Sequence, residues 1–151
     1  MSLNTGRASI ETYFKANWTA TAYGLDHHQA DVVAPFVRLT IQNGRVNQGS
    51  IGAYPLNLLH NIGAVMFSIW TAGGAGSAEA NGYAETILSL FRYKTLDIAG
   101  AVVTSQAQAA LIRFSPPELG FNGHPYISGR SDDPPHLMTT VTAPFVRYER
   151  D

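Results

Sequence analysis

The sequence has no cysteine. Disulfides and thiolate chemistry are therefore excluded, and the chain fits a reducing interior. Charge is also scarce. Asp, Glu, Lys and Arg make up 14% of the 151 residues, against about 25% in ordinary soluble domains. The net charge of −1 offers no electrostatic footprint for nucleic acid, and the basic residues form no Arg/Lys–aromatic run. There is no stretch of about 18 apolar residues, so no helical membrane span is expected. No basic-then-apolar start is present, so no secretory signal is expected either. A surface this poor in charge exposes neutral polar and apolar groups, and large patches of that kind mark contact with other chains.

What the sequence does have is centred on residues 62–93. Residues 62–70 are nearly all apolar and rich in types that suit a pleated surface, which predicts a buried strand. Gly73, Gly74 and Gly76 end it. Ser77 stands where an N-cap hydroxyl would accept from a free N–H of a first helical turn. Ala80, Tyr83, Ala84, Ile87, Leu88 and Phe91 then follow at helical spacing, a single stripe that predicts a helix over 78–91. Gly82 lies off the stripe and costs roughly 1 kcal/mol against Ala. Burying Ile87, Leu88 and Phe91 returns roughly 1.5–3 kcal/mol each, so the helix is expected despite it.

On the N-terminal side, Thr5 is expected to cap a short helix carrying Ile10, Tyr13, Phe14 and Asn17 and closed by Trp18. A short strand is expected at 19–23 and a polar loop at 25–33. Residues 35–42 alternate, with Val37, Leu39 and Ile41 on one face and Arg38, Thr40 and Gln42 on the other, the pattern of a half-buried strand. Asn43-Gly44 reads as a tight turn. Residues 45–60, interrupted by Gly49, Gly52 and Pro55, read as an irregular, bulged arm.

Beyond the main helix, 96–103 is expected to be a short strand or turn, and 106–114 a strand with Ala110, Ile112 and Phe114 on one face. Residues 115–136 hold five of the eight prolines and read as a long loop of the kind that is functional or disordered. Residues 137–148 alternate through Leu137, Thr139, Val141, Ala143 and Phe145, a strand long enough to cross a whole sheet. Ala34-Pro-Phe-Val-Arg38 recurs at 143–147, but no fixed period surrounds it. The expected fold is a single α+β domain over 1–151: a mainly antiparallel sheet of about four to six strands with two helices packed on one face.

No motif for chemistry survives inspection. The 73–77 turn joins a strand to a helix, where anions bind readily. A dinucleotide fingerprint would need Gly or Ala at 79, where Glu79 stands, and a P-loop would need Lys-Ser/Thr where Ser77-Ala78 stands. His27, His28, His60, His124 and His136 are scattered and have no cysteine partner, so they read as loop histidines and not as zinc ligands. There is no G-x-S-x-G elbow. Neither catalysis nor a cofactor nor a metal is expected.

The order of features resembles a known family. The short helix ending in Asn17-Trp18, the strand Pro35-Phe-Val-Arg-Leu-Thr-Ile41, the glycine-bearing arm, the central strand into a Gly-rich turn and helix at Ala78–Phe91, and the closing strand with Pro144-Phe145 together are similar to the tail terminator proteins of long, flexible-tailed, lambda-like bacteriophages. Relatives occur in prophages and gene transfer agents. The resemblance covers roughly residues 7–149 and rests on apolar patterns with a few Gly, Pro and Arg positions.

The resemblance implies a small structural protein that forms a six-membered ring. That ring caps the tail tube at full length, ends its polymerisation and offers its other face to the filled head. The implied partners are copies of the same chain, the major tail tube protein and a head-completion or neck protein. The implied place is the neck end of the virion tail, with assembly in the bacterial cytoplasm. Neither a membrane nor sequence-specific nucleic acid is implied. The alternatives are another neck or tail-completion protein, or a small-ligand-binding α+β domain using the 73–77 turn.

A closed ring needs head-to-tail contacts, which protruding arms can supply. The arms at 43–60 and 115–136 hold most of the irregular Gly and Pro residues. Interface anchors favour aromatics and Arg, which selects Arg45, Tyr54, Phe121 and Tyr126 as candidates.

Overall fold

The computed structural model of the protein describes residues 1–28, 31–50, 57–104 and 111–150, with the backbone alone at 133 and 150. Two α-helices, α1 (Leu3–Asn17) and α2 (Ala78–Phe91), accompany seven strands: β1 (Ala22–Gly24), β2 (Phe36–Gln48), β3 (Leu58–Ala72), β4 (Thr95–Leu96), β5 (Ile112–Phe114), β6 (Tyr126–Asp133) and β7 (His136–Arg150). A 3-10 segment at Pro117–Gly123 is broken at Gly120, whose φ of 57° is left-handed. The strand order is β1-β2-β3-β7-β5-β4, and β6 pairs with β7 beside β5. Among the described residues only the β1–β2 pair is parallel. The fold is thus α+β, with a sheet one strand larger than the upper end of the expected range.

The fold is organised on β3 and β7, which pair along their full length from Leu58↔Arg150 to Ala72↔His136. Alternation along them sends Val65, Phe67, Ile69, Val141, Ala143 and Phe145 to one face, where all are buried. Both helices pack there. Phe67 lies 5.4 Å from Phe14 of α1 and 5.0 Å from Phe91 of α2, ring centre to ring centre. Phe91 in turn meets Phe114 at 4.8 Å. Full burial of such rings contributes roughly 1.5–3 kcal/mol each, and edge-to-face contact adds to it.

Helix α2 has the expected bounds, but its buried line is Ala80, Ala84, Ile87 and Phe91. Tyr83 and Leu88 flank this line and are half-buried. Ser77 occupies the N-cap position without a side-chain bond, so the cap hydrogen bond expected of it is not made. At α1 the cap is Ser2, whose Oγ accepts from the Thr5 N–H at 3.2 Å. Thr5 therefore sits inside the helix and does not start it. Tyr13 is buried beside Phe91 and donates its hydroxyl to Leu90 O at 2.6 Å, tying the two helices together. Burial raises the Tyr13 pKa above that of an ordinary phenol.

Two irregular segments are more regular than their composition suggests. Asn43-Gly44 is no hairpin turn. β2 runs through it with a bulge, the register passing from Asn43↔Gly63 to Val46↔Asn61. Where it is described, the arm expected at 45–60 is the outer half of the antiparallel β2–β3 pair, while residues 51–56, Tyr54 and Pro55 among them, lie outside the described residues. The long loop expected at 115–136 contains the 3-10 segment and all of β6. Of the strand expected at 106–114, Ile112–Phe114 is observed, while 106–110 lies outside the described residues.

Two glycines are fixed by close approach. A Cβ at Gly63 would stand 2.6 Å from Gln42 O and 2.6 Å from Phe145 Cζ. At Gly100, with φ +78°, it would stand 2.7 Å from Ser9 O, where α1 lies across the following loop.

A candidate assembly surface

The sheet has one face under helices and one face without them. On the uncovered face Arg38, Thr40, Met66, Ser68, Trp70, Met138, Thr140, Thr142 and Pro144 are all half-buried. Phe36 is buried against Trp70, ring centres 6.0 Å apart, and the Arg38 guanidinium lies over the same indole at 5.8 Å. This is a mixed surface of threonines, methionines and one tryptophan, consistent with the low charge of the chain.

The two candidate arms are the most exposed parts of the sheet. In β2, Phe36–Ile41 is largely buried, whereas every residue from Gln42 to Gln48 is exposed. Asp26 marks the boundary: its Oδ1 accepts from the Ile41 N–H at 3.0 Å. In β6, every residue from Tyr126 to Asp132 is exposed, although the strand is paired to β7. Arg130 reaches back to a helix, donating to Asn81 Oδ1 of α2 at 2.5 Å and to Thr139 Oγ1 at 3.2 Å.

Of the four anchor candidates, Arg45 is exposed within the β2 bulge. Phe121 is 101% exposed on the 3-10 segment, and Tyr126 is 50% exposed at the start of β6. Tyr54 lies outside the described residues. The fold separates the first from the next two. Arg45 is on the β2 side, near β3 and β7 residues Ile62 and Val146, whereas Tyr126 is across the sheet opposite Thr142. Sequence reasoning passed over Val46, Tyr93 and Ile127, which are 56%, 71% and 43% exposed. An isolated apolar residue in a polar run gives no periodic signal to find it by.

Cavities are present elsewhere among the described residues. One of about 120 Å³ lies under the start of α1, lined by Gly6, Arg7, Asp26, Asn43, Phe145 and Arg147 among others. Beside it a wider, open depression of about 560 Å³ is bordered by Asn43, Gly44, Asn61 and Glu149. Arg147 is 4% exposed there. Its Nη1 donates to Met1 O and, at 3.1 Å, to Glu149 Oε2. The pair holds the start of α1 on the end of β7, so its charges balance within the chain. A third depression of about 500 Å³ separates Tyr13, Asn17, Leu90 and Lys94.

The 73–77 turn is tied to the β6–β7 turn, with the Gly73 N–H donating to Pro135 O at 2.9 Å. The histidines remain apart: His27 is 3.7 Å from Asp26, His60 stands edge-on to Tyr148, and His124 stands edge-on to Tyr93. Among the described residues no three His, Asp or Glu side chains converge in a way that could hold a metal. Tyr148 donates to Glu118 Oε1 at 2.6 Å. Burial, then that carboxylate, raise its pKa well above the ordinary value, with Arg113 opposing them.

No family model and no curated protein matches the sequence. Several solved structures match, among them one aligned along 100% of this chain and 99% of its own, with a TM-score of 0.65 and 14% sequence identity. The likeness is one of fold: a single α+β architecture accounts for both chains from end to end.

Proposed function

We propose that this chain is a structural protein of a bacteriophage or prophage tail, a terminator whose copies form a ring that caps the tail tube and presents the joining surface for the head. The observation that carries the proposal is the division of the sheet. One face is sealed by α1 and α2, while Gln42–Gln48 of β2 and Tyr126–Asp132 of β6 are exposed on opposite sides of it. Strands without a core of their own gain their partners from outside the chain. The resemblance in the order of elements supplies the identity of the assembly: six copies, a tail tube protein on one face and a head-completion protein on the other.

Negative-stain electron microscopy of the purified chain at rising concentration, alone and with polymerising tail tubes, tests this reading. It predicts rings of one size and tubes capped at one end. A chain that stays monomeric and leaves tube growth unchanged would refute it. A variant with residues 117–134 replaced by a Gly/Ser linker removes Phe121, Tyr126 and β6 together, and is expected to yield overlong or headless tails.

A further inference from the structure

The two exposed strands share a feature that neither exposure nor composition explains. Each has one free edge. Beyond its three-residue pairing with β1, β2 has no strand on its outer side among the described residues. Gly49 donates its N–H inward to Leu58 O at 2.7 Å, so alternation turns the N–H groups of Val46 and Gln48 outward. On the other side of the sheet, the Tyr148 N–H points to Leu111 O. The even-numbered residues of β7 therefore donate toward the β5 and β6 side. Tyr126, Gly129 and Ser131 stand opposite Thr142, Thr140 and Met138 and face inward. Ile127, Arg130 and Asp132 then direct their N–H groups outward, where no described strand pairs with them.

Free edges are templates for another strand, and proteins blunt those they do not use with Pro, charged side chains, bulges or a covering element. Each of these carries one bulge, but neither is guarded by Pro or Lys. Residues 42–48 and 126–133 contain neither Pro nor Lys. Each carries an exposed apolar side chain, Val46 on one and Ile127 on the other. Their lengths match, seven residues in 42–48 and eight in β6. Their formal charges oppose: Arg45 is the one charged residue of 42–48, while β6 has Arg130 against Asp132 and Asp133. Arg130 is engaged with Asn81, whereas neither Arg45 nor Asp132 is in an ion pair among the described residues.

The edges also lie at opposite ends of the β3–β7 pair. The free part of β2 borders Leu59 to Ala64 of β3, and β6 borders His136 to Thr142 of β7. We infer that β2 of one copy pairs edge to edge with β6 of the next, so that the sheet continues from subunit to subunit. The contact joins two different surfaces, so it is heterologous and propagates head to tail until it closes. This inference rests on the ring proposed above and names the surface through which the ring is built.

The chain's lack of cysteine makes a direct test available. The full chain carrying both Val46→Cys and Ile127→Cys, which stand opposite Asn61 and Val141 on the same face of the sheet, treated with a short bis-maleimide, is expected to give a ladder of oligomers ending at the ring. Either single variant should remain uncrosslinked, and a mixture of the two singles should give dimers. Separately, Arg45→Glu should lower assembly by about tenfold or more, and Arg45→Glu with Asp132→Arg should restore it. Cooperative melting confirms that each variant is folded. If Val46→Cys alone dimerises as readily as the double variant, the edge pairs with itself and the inference fails. If wild-type rings form but the double variant gives no ladder and the charge swaps assemble normally, the ring stands without edge pairing. If the wild-type chain never assembles, both fall.

Discussion

The two halves of β2 share one partner strand and one chain direction, yet they live in different environments. Phe36–Ile41 alternates over the core, with Val37 and Leu39 fully buried, β1 or Asp26 on its outer side and β3 on its inner side. Gln42–Gln48 keeps β3, is exposed throughout, and has no outer strand among the described residues. Both halves stay paired to β3, the outer one across a bulge, and what differs most is burial. A strand segment can thus be well formed in a monomer while contributing little to its stability, and that leaves its edge and side chains available for another copy.

The largest expected effect is in the first half. Leu39→Ala should lower stability by about 2–5 kcal/mol in denaturant melts, the cost of truncating a fully buried aliphatic side chain. A loss under about half a kilocalorie would mean that the core does not extend under β2. Next is the boundary residue. Asp26→Ala leaves the Ile41 N–H without its acceptor and should cost about 1–3 kcal/mol, with Asp26→Asn recovering part because its amide oxygen still accepts. Equal losses in the two variants would show that the hydrogen bond is not what closes the first half.

At the far end of the sheet the contrast can be read by pH. Tyr148 holds its proton more tightly in the folded chain than an unfolded phenol, whose pKa is about 10. Its contribution to stability is therefore fully present below about pH 10 and is lost as pH rises further. Urea melts should show stability falling as pH rises above about 10, with a shallower fall in Tyr148→Phe, while Tyr13 retains a share of the slope. An unchanged slope in Tyr148→Phe would assign the whole effect elsewhere. The smallest expected effect is Val46→Ala, within about 0.5 kcal/mol for the monomer, as for surface positions generally. A core-sized loss there would erase the difference between the halves.

The elements that carry a core were legible in the sequence, and those that do not were read too irregularly. Helix α2 was readable to the residue because its apolar stripe is continuous, although the centre of that stripe lies on Ala84 and Ile87, between Tyr83 and Leu88. Strand β7 was readable because burial on one face imposes alternation, and β3 because its run of apolar residues suits a pleated surface. β6 was not, because all its residues from Tyr126 to Asp132 are exposed. Nothing selects a period there, and Gly129, Asp132 and the flanking prolines read as loop. Asn43-Gly44 suggested a turn because its composition permits one, but those residues also suit a bulge, and pairing with β3 continues past them. The candidate surface was found only coarsely for the same reason. Arg45 and Tyr126 stand out as residue types, while a free edge is a property of topology that no single residue declares.

The central claim is that a neighbouring copy completes the outer half of β2. Amide hydrogen exchange across a concentration series that spans assembly tests it directly, residue by residue. Amides of Val37 and Leu39 should exchange slowly at every concentration. Those of Val46 and Gln48, with Ile127 and Asp132 across the sheet, should exchange fast in the monomer and become protected together as rings form. If rings form while Val46 and Gln48 remain as fast as in the monomer, the contact lies elsewhere and the claim is wrong.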